Sequence, residues 1–242
     1  MNDANKANAA INDSPDLEDL RRRLKRLDFD GARKVADAAG AAFEKAGNAR
    51  GQAWCRYYLA DIYFEMGAFG LAEEASRECI KVFESLKDKS GQAWASVNLQ
   101  RALCLMGDAP GSQASGDKAL ILFESLGELE GAASARRWLS VASQNMGRLD
   151  EAREDLKASL RSFLAMHAQH RLLECLHDLS WLEVATRHPA EALRLQRYLI
   201  RHPQSPRWAV VNVMPSVGRL ESQPERLPDY SEDLEALVKS LI

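Results

Sequence analysis

Apolar residues recur along this chain with two superposed periods. The short one is helical: Leu59, Ile62, Tyr63 and Met66, and again Leu99, Ala102, Leu103 and Met106, stand three or four positions apart and share one face of a helix. After a glycine the spacing resumes, as Leu71, Ala72, Ala75, Cys79, Ile80 and Phe83, and as Leu149, Ala152, Leu156, Leu160 and Phe163. The long period is forty residues. Gly51-Gln-Ala-Trp54 returns as Gly91-Gln-Ala-Trp94, and the same step carries Leu59, Leu99, Leu139 and Leu179, then Phe43, Phe83, Phe123 and Phe163, then Gly67, Gly107 and Gly147. A fixed period near forty marks a solenoid, in which each unit buries its apolar face only by stacking on its neighbours.

Rows of forty run without a gap as 11–50, 51–90, 91–130, 131–170 and 171–206, the last one shortened. Each row predicts an antiparallel helix hairpin, with pairs at 49–66/69–86, 89–106/109–126, 129–146/149–166 and 169–186/189–201. Gly67, Gly107 and Gly147 stand where a helix end takes a left-handed residue. Small residues at Ala32, Ala72, Ser112, Ala152 and Ala192 bring the two helices close, and Ile80, Leu120, Leu160 and Ile200 fill the space further along. Met66, Met106 and Met146 read as a core ladder. Pro110-Gly111-Ser112 to Ser115-Gly116 puts poor helix formers into one second helix and predicts a soft joint there.

The ends are less regular. Residues 1–13 read as a disordered tail, and Ser14-Pro15 ahead of Asp16, Glu18 and Asp19 as the start of a degenerate capping repeat. The solenoid spans 14–206. Residues 207–242 read as two capping helices, the first interrupted by Pro215 and the second beginning at Ser231 as N-cap, which cover the open end of the stack.

Leu59-Ala60, Tyr63, Gly67 and Ala72, with Arg148-Leu149-Asp150-Glu151-Ala152 after Gly147, resemble the tetratricopeptide repeat over roughly residues 28–201. That family's usual unit is about 34 residues. The forty-residue unit with Phe123-Glu-Ser-Leu-Gly127 ahead of Gly131-Ala-Ala133 is similar to repeat arrays of bacterial signalling ATPases and transcriptional regulators. The resemblance implies an all-α, right-handed superhelical solenoid of about five hairpins, whose first helices line a concave groove. It further implies a noncatalytic scaffold or adaptor that binds a protein or peptide in a bacterial regulatory complex. A self-assembling structural protein, joined through its terminal helices, is the alternative, and a peptide or small-molecule sensor is a third.

On the face that begins at Trp54, the groove candidates are Trp54, Tyr57, Asp61, Phe64, Trp94, Asn98, Arg101, Arg137, Trp138 and Gln144. Aromatic rings would anchor a peptide, and Arg101 and Arg137 would take a carboxylate. Trp54 and Trp94 read equally as core between repeats. Glu174, His177, Trp181 and Val184 form the last layer of the same stripe.

Composition narrows the chemistry. Net charge is −3, so no global basic field invites nucleic acid or an anionic membrane. The run Arg21-Arg22-Arg23-Leu24-Lys25-Arg26 follows acids on the same helix, an order the helix dipole explains. No apolar stretch suits a membrane span or signal peptide, and the four cysteines form no CxxC pair, so a cytoplasmic chain with reduced, buried thiols is expected. His167, His170, Cys175, His177 and Asp178 are dense, but their spacing does not converge for zinc. No nucleophile elbow or phosphate loop accompanies them. We therefore expect neither an enzyme nor a cofactor.

Overall fold

The computed structural model describes residues 15–26, 28–221 and 233–242. Residues 1–13, Ser14 and Ser231, on which three of the expectations above rest, lie outside them. Every regular element among the described residues is helical. The helices are α1 (Pro15–Lys25), α2 (Phe29–Lys45), α3 (Ala49–Glu65), α4 (Phe69–Ser85), α5 (Lys89–Leu105) and α6 (Ala109–Leu126). They continue as α7 (Leu129–Asn145), α8 (Leu149–Ala165), α9 (Gln169–Ala185), α10 (Pro189–Arg201), α11 (Arg207–Glu221) and α12 (Leu234–Leu241). None is long and apolar enough to cross a membrane. The chain divides into two compact units, one through Gly131 and one from Ala132, so the boundary falls in the first turn of α7.

In the first unit each helix packs on the next in sequence, and the first helices of adjacent hairpins, α3 and α5, also touch. In the second, α8, α9, α10 and α11 follow the same rule. The hairpin boundaries match the sequence periods to within a residue.

The reason for this regularity is one turn, repeated. Among the described residues, those with positive φ are Gly47, Gly67, Lys87, Gly107, Gly127, Gly147, His167 and Arg187, one every twenty residues. Each closes a helix in the same way: the amide of the following residue donates back to a carbonyl five positions earlier, as Ala68 to Tyr63 (2.8 Å), Asp88 to Phe83 (2.9 Å) and His188 to Glu183 (2.8 Å). This Schellman bond satisfies a carbonyl that the helix end would otherwise leave unpaired. Three of the eight positions carry a side chain, so the glycines alone show only part of a twenty-residue period.

The recurring Gly-Gln-Ala-Trp motif has a related cause. Asn48 and Asp88 cap α3 and α5 by accepting from the amides of Gly51 (2.9 Å) and Gly91 (3.0 Å). A Cβ at Gly51, Gly91 or Gly131 would overlap the ring of Phe43, Phe83 or Phe123 respectively. Glycine is needed because the preceding helix drives a phenylalanine against the backbone of the next. Phe83, Phe123 and Phe163 are fully buried.

The small-residue ladder behaves as expected, with Ala32, Ala72, Ser112, Ala152 and Ala192 at zero exposure. The segment expected as a soft joint is an uninterrupted part of α6. Asp108 caps it, and Ser112 Oγ donates to the Gln100 carbonyl (2.9 Å), so its small residues let α5 and α6 approach closely. Other expectations are corrected. Met66 and Met106 are each 49% exposed, because they occupy the C-cap beside the turn and not the inward face. Leu71 and Ile200 are also exposed. α11 runs through Pro215 without a break, with Pro215 itself exposed.

Asp233 caps α12. This helix packs on α8, burying Leu234, Leu237 and Val238, and reaches α10 where Arg194 meets Ser240. It lies against second helices instead of closing the end of the stack, and α11 takes the end position beside α10.

Two substitutions test the turn and the close approach. Gly91→Ala is expected to lower stability by about 1–3 kcal/mol through overpacking against Phe83, read as a shift in the urea midpoint. Lys87→Gly removes a left-handed side-chain penalty and is expected to raise stability by about 1 kcal/mol in the same assay.

Candidate functional site

The expected stripe lies on α3, α5, α7 and α9, and the structure separates it into core and surface. Trp54 is 5% exposed and meets Phe83 and Tyr57 edge-on, with ring centroids 5.2 and 5.3 Å apart. It is core, and the expectation that it anchors a ligand is corrected. Phe83 lies between the Trp54 ring and the bare backbone of Gly91. Trp94 repeats this contact on Phe123 at 5.0 Å but stays partly open, as do Tyr57 and Phe64.

The two arginines are occupied. Arg101 donates to Asp61 (2.6 Å), to Glu65 (3.1 Å) and to Asn98 (3.2 Å), and its guanidinium sits 3.9 Å above the Phe64 ring centroid. Asn98 in turn donates to the Tyr57 carbonyl (3.3 Å), so α3 and α5 are tied polar group to polar group. Burial works against the Arg101 charge, but Asp61 and Glu65 outweigh it and hold its pKa above the ordinary value.

In the second unit Arg137, 6% exposed, donates to Asp178 (2.6 Å) and Glu174 (2.7 Å). Burial opposes ionisation of Glu174 as well, yet Arg137, His170 and Arg171 together hold its carboxyl well below the usual range. Arg137 is likewise raised, against burial, by Asp178 and Glu174. The expectation that these guanidinium groups receive a ligand's carboxylate is therefore corrected: the chain supplies its own carboxylates, at 2.6 to 3.1 Å. Trp138, partly open, lies 5.1 Å below the Arg137 guanidinium, and Gln144 is also partly open.

The dense His/Cys segment disperses. His167 meets Glu235, His170 meets Glu174, His177 meets Asp178, and the Cys175 thiol meets Ser159. No three metal-ligating side chains converge among the described residues. All four cysteines are reduced and buried, and burial pushes the thiols of Cys79 and Cys175 up to about 12. A second ion cluster joins α8 to α9, where Arg153 holds Glu183 together with Thr186 and His188.

The stripe also has a member outside the repeat. Trp208 on α11 is 41% exposed and packs edge-on against His177 at 4.7 Å. Its position past the last hairpin gives no forty-residue signal.

Removing Arg137 takes from Glu174 and Asp178 their most buried partner and leaves only the more exposed Arg171 and His170 on the one and the His177 ring on the other, so Arg137→Ala is expected to cost about 3 kcal/mol in denaturant unfolding. Arg101→Ala, whose partners are more open to water, is expected to cost about 1–3 kcal/mol. Because the folded carboxyl of Glu174 has a lowered pKa, its stabilisation is complete above the unfolded value near 4.3 and is lost as pH falls further. Glu174→Gln is expected to be less stable than wild type at pH 7, with the difference narrowing in melts taken at progressively lower pH.

No family model and no curated protein sequence matches the chain. In three dimensions it is similar to the crystal structure of BtubC (BKLC) from P. vanneervenii. The TM-score is 0.57 at 15% identity, over 88% of this chain and 98% of that one, which is a likeness of fold.

Proposed function

We propose that this chain is a noncatalytic, tetratricopeptide-like scaffold of about five right-handed helix hairpins that binds a protein or peptide on its first-helix faces. The observation that carries this reading is the division of labour on those faces. Ion pairs inside the chain, Arg101 with Asp61 and Arg137 with Asp178 and Glu174, hold neighbouring first helices in register. Around them Tyr57, Phe64, Trp94, Trp138 and Trp181 remain partly open. Rigid, partly exposed aromatic rings give contact area at small cost in side-chain entropy, as peptide-binding surfaces require. An adaptor role in a bacterial regulatory complex follows from the resemblance to such repeat arrays.

Panning a random peptide library on the purified protein tests this. Enriched peptides are expected to slow hydrogen exchange on α5 in the first unit, or on α7 and α9 in the second. Their binding is expected to weaken on Trp94→Ala or Trp181→Ala when measured well below the melting temperatures that loss of the Trp94–Phe123 and Trp181–His177 contacts lowers. Absence of enrichment over an unrelated helical protein, or binding indifferent to both substitutions, would sink the reading.

A further inference from the structure

All five histidines of the chain, His167, His170, His177, His188 and His202, belong to the second unit. His177 is the buried one among them, and both of its ring nitrogens are engaged. An indole N–H only donates. Since Trp181 Nε1 donates to His177 Nε2 (3.2 Å), that nitrogen carries no proton, and Nδ1 carries it and donates to Asp178 Oδ1 (3.0 Å). The ring is therefore neutral. Trp208 of α11 packs against it nearly at right angles, with ring centroids 4.7 Å apart.

The charge on His177 and the position of the Trp181 indole are thus one arrangement. Imidazole is the side chain that takes up a proton between about pH 8 and pH 5, and the Nδ1–H form has one lone pair to receive it, on Nε2. A proton there sets two N–H groups head to head at the 3.2 Å that now holds a hydrogen bond. The bond is lost and the indole has to turn away. Trp181 is partly open to solvent, so this turn reshapes the aromatic face of α9. Charged groups surround the ring from each neighbouring helix. On α9 itself Asp178 accepts from it, and Glu174 lies one turn earlier with His170 on its outer side. From α7, Arg137 grips both carboxylates. α8 reaches α9 through Arg153 on Glu183, the N-cap of α10 through His188 on the same carboxylate, and α11 brings the Trp208 ring.

We propose that His177 is a proton-controlled switch for Trp181. Neutral, the ring fixes the indole through the Nε1 to Nε2 bond; protonated, it releases the indole, so peptide binding on α9 is stronger at neutral than at mildly acidic pH. This rests on the peptide-binding reading above and assigns its regulation.

The test follows the indole N–H and imidazole resonances of the full chain by NMR across the range from about pH 8 to about pH 5. The Trp181 resonance, assigned by its loss in Trp181→Phe, is expected to move with one midpoint that the His177 ring shares. His177→Gln offers an amide oxygen that accepts from Trp181 and does not titrate, so the Trp181 resonance is expected to stay constant there. His170→Gln, two turns away, is expected to leave the transition in place. A His177 ring that stays neutral throughout, a Trp181 resonance that does not follow it, or a transition that persists in His177→Gln overturns the inference. The wild-type titration decides alone if His177→Gln fails to fold. Peptides from the panning that need Trp181 give a second readout: they are expected to bind about five- to tenfold more weakly at the acid end, as loss of one fixing hydrogen bond implies, and equally at both ends in His177→Gln. Equal binding at both ends in the wild type overturns the switch while leaving the peptide-binding reading intact. Absence of any binding peptide sinks that reading, and the Trp181 transition still judges the switch.

Discussion

The structure depends on a phenylalanine pressed against a glycine at the junction between hairpins. Phe43, Phe83 and Phe123 each lie where the next helix has no side chain, at Gly51, Gly91 and Gly131. The carbonyls of the same phenylalanines accept the Schellman bonds that end their helices, from Asn48, Asp88 and Glu128. Asn48 and Asp88 then cap the helices that contain Gly51 and Gly91. One short segment thus stops a helix, starts the next and sets the distance between them. Each part would be worth about a kilocalorie per mole alone, and their coupling at one junction sets how the next helix begins. The tryptophans complete the arrangement from the other side, Trp54 on Phe83 and Trp94 on Phe123.

Much of this was legible in the chain. The forty-residue period located the hairpins, and the glycines at 67, 107 and 147 marked turns that the backbone confirms with positive φ. The twenty-residue half-period was hidden because Lys87, His167 and Arg187 occupy the same conformation with side chains that give no left-handed signal. Burial of Trp54 was not legible either, since its partner Phe83 lies twenty-nine positions on and faces it only after the hairpin closes. The ion pairs leave a trace in the row alignment. Asp61 and Arg101 are one row apart, and Arg137 and Asp178 one row and a residue, so aligned rows juxtapose opposite charges. Trp208 lies beyond the periodic region, and only the packing of α11 brings it to His177.

The buried charges change how a first-helix face should be understood. An arginine on such a face suggests recognition of a ligand carboxylate, but Arg101 and Arg137 reach across to neighbouring helices of the same chain. Their energetic role is registry: a buried pair contributes little net stability over apolar packing, yet a shifted stacking that separated it would strand charge away from water. The aromatic rings around them, Tyr57, Phe64, Trp94 and Trp138, are what these faces leave partly open to solvent.

The uniformity of the junctions has an evolutionary consequence. Asn48 and Asp88 present the same cap to the same glycine, and Phe43 and Phe83 present the same ring. Excising residues 49–88 would join Asn48 to Lys89 and set Phe43 against Gly91, a junction chemically equivalent to those already present. Such an array is able to lengthen or shorten in whole hairpins by recombination without inventing a new interface. Its reach is therefore quantised, and the identical Gly51-Gln-Ala-Trp54 and Gly91-Gln-Ala-Trp94 are what two copies separated by one such event would look like.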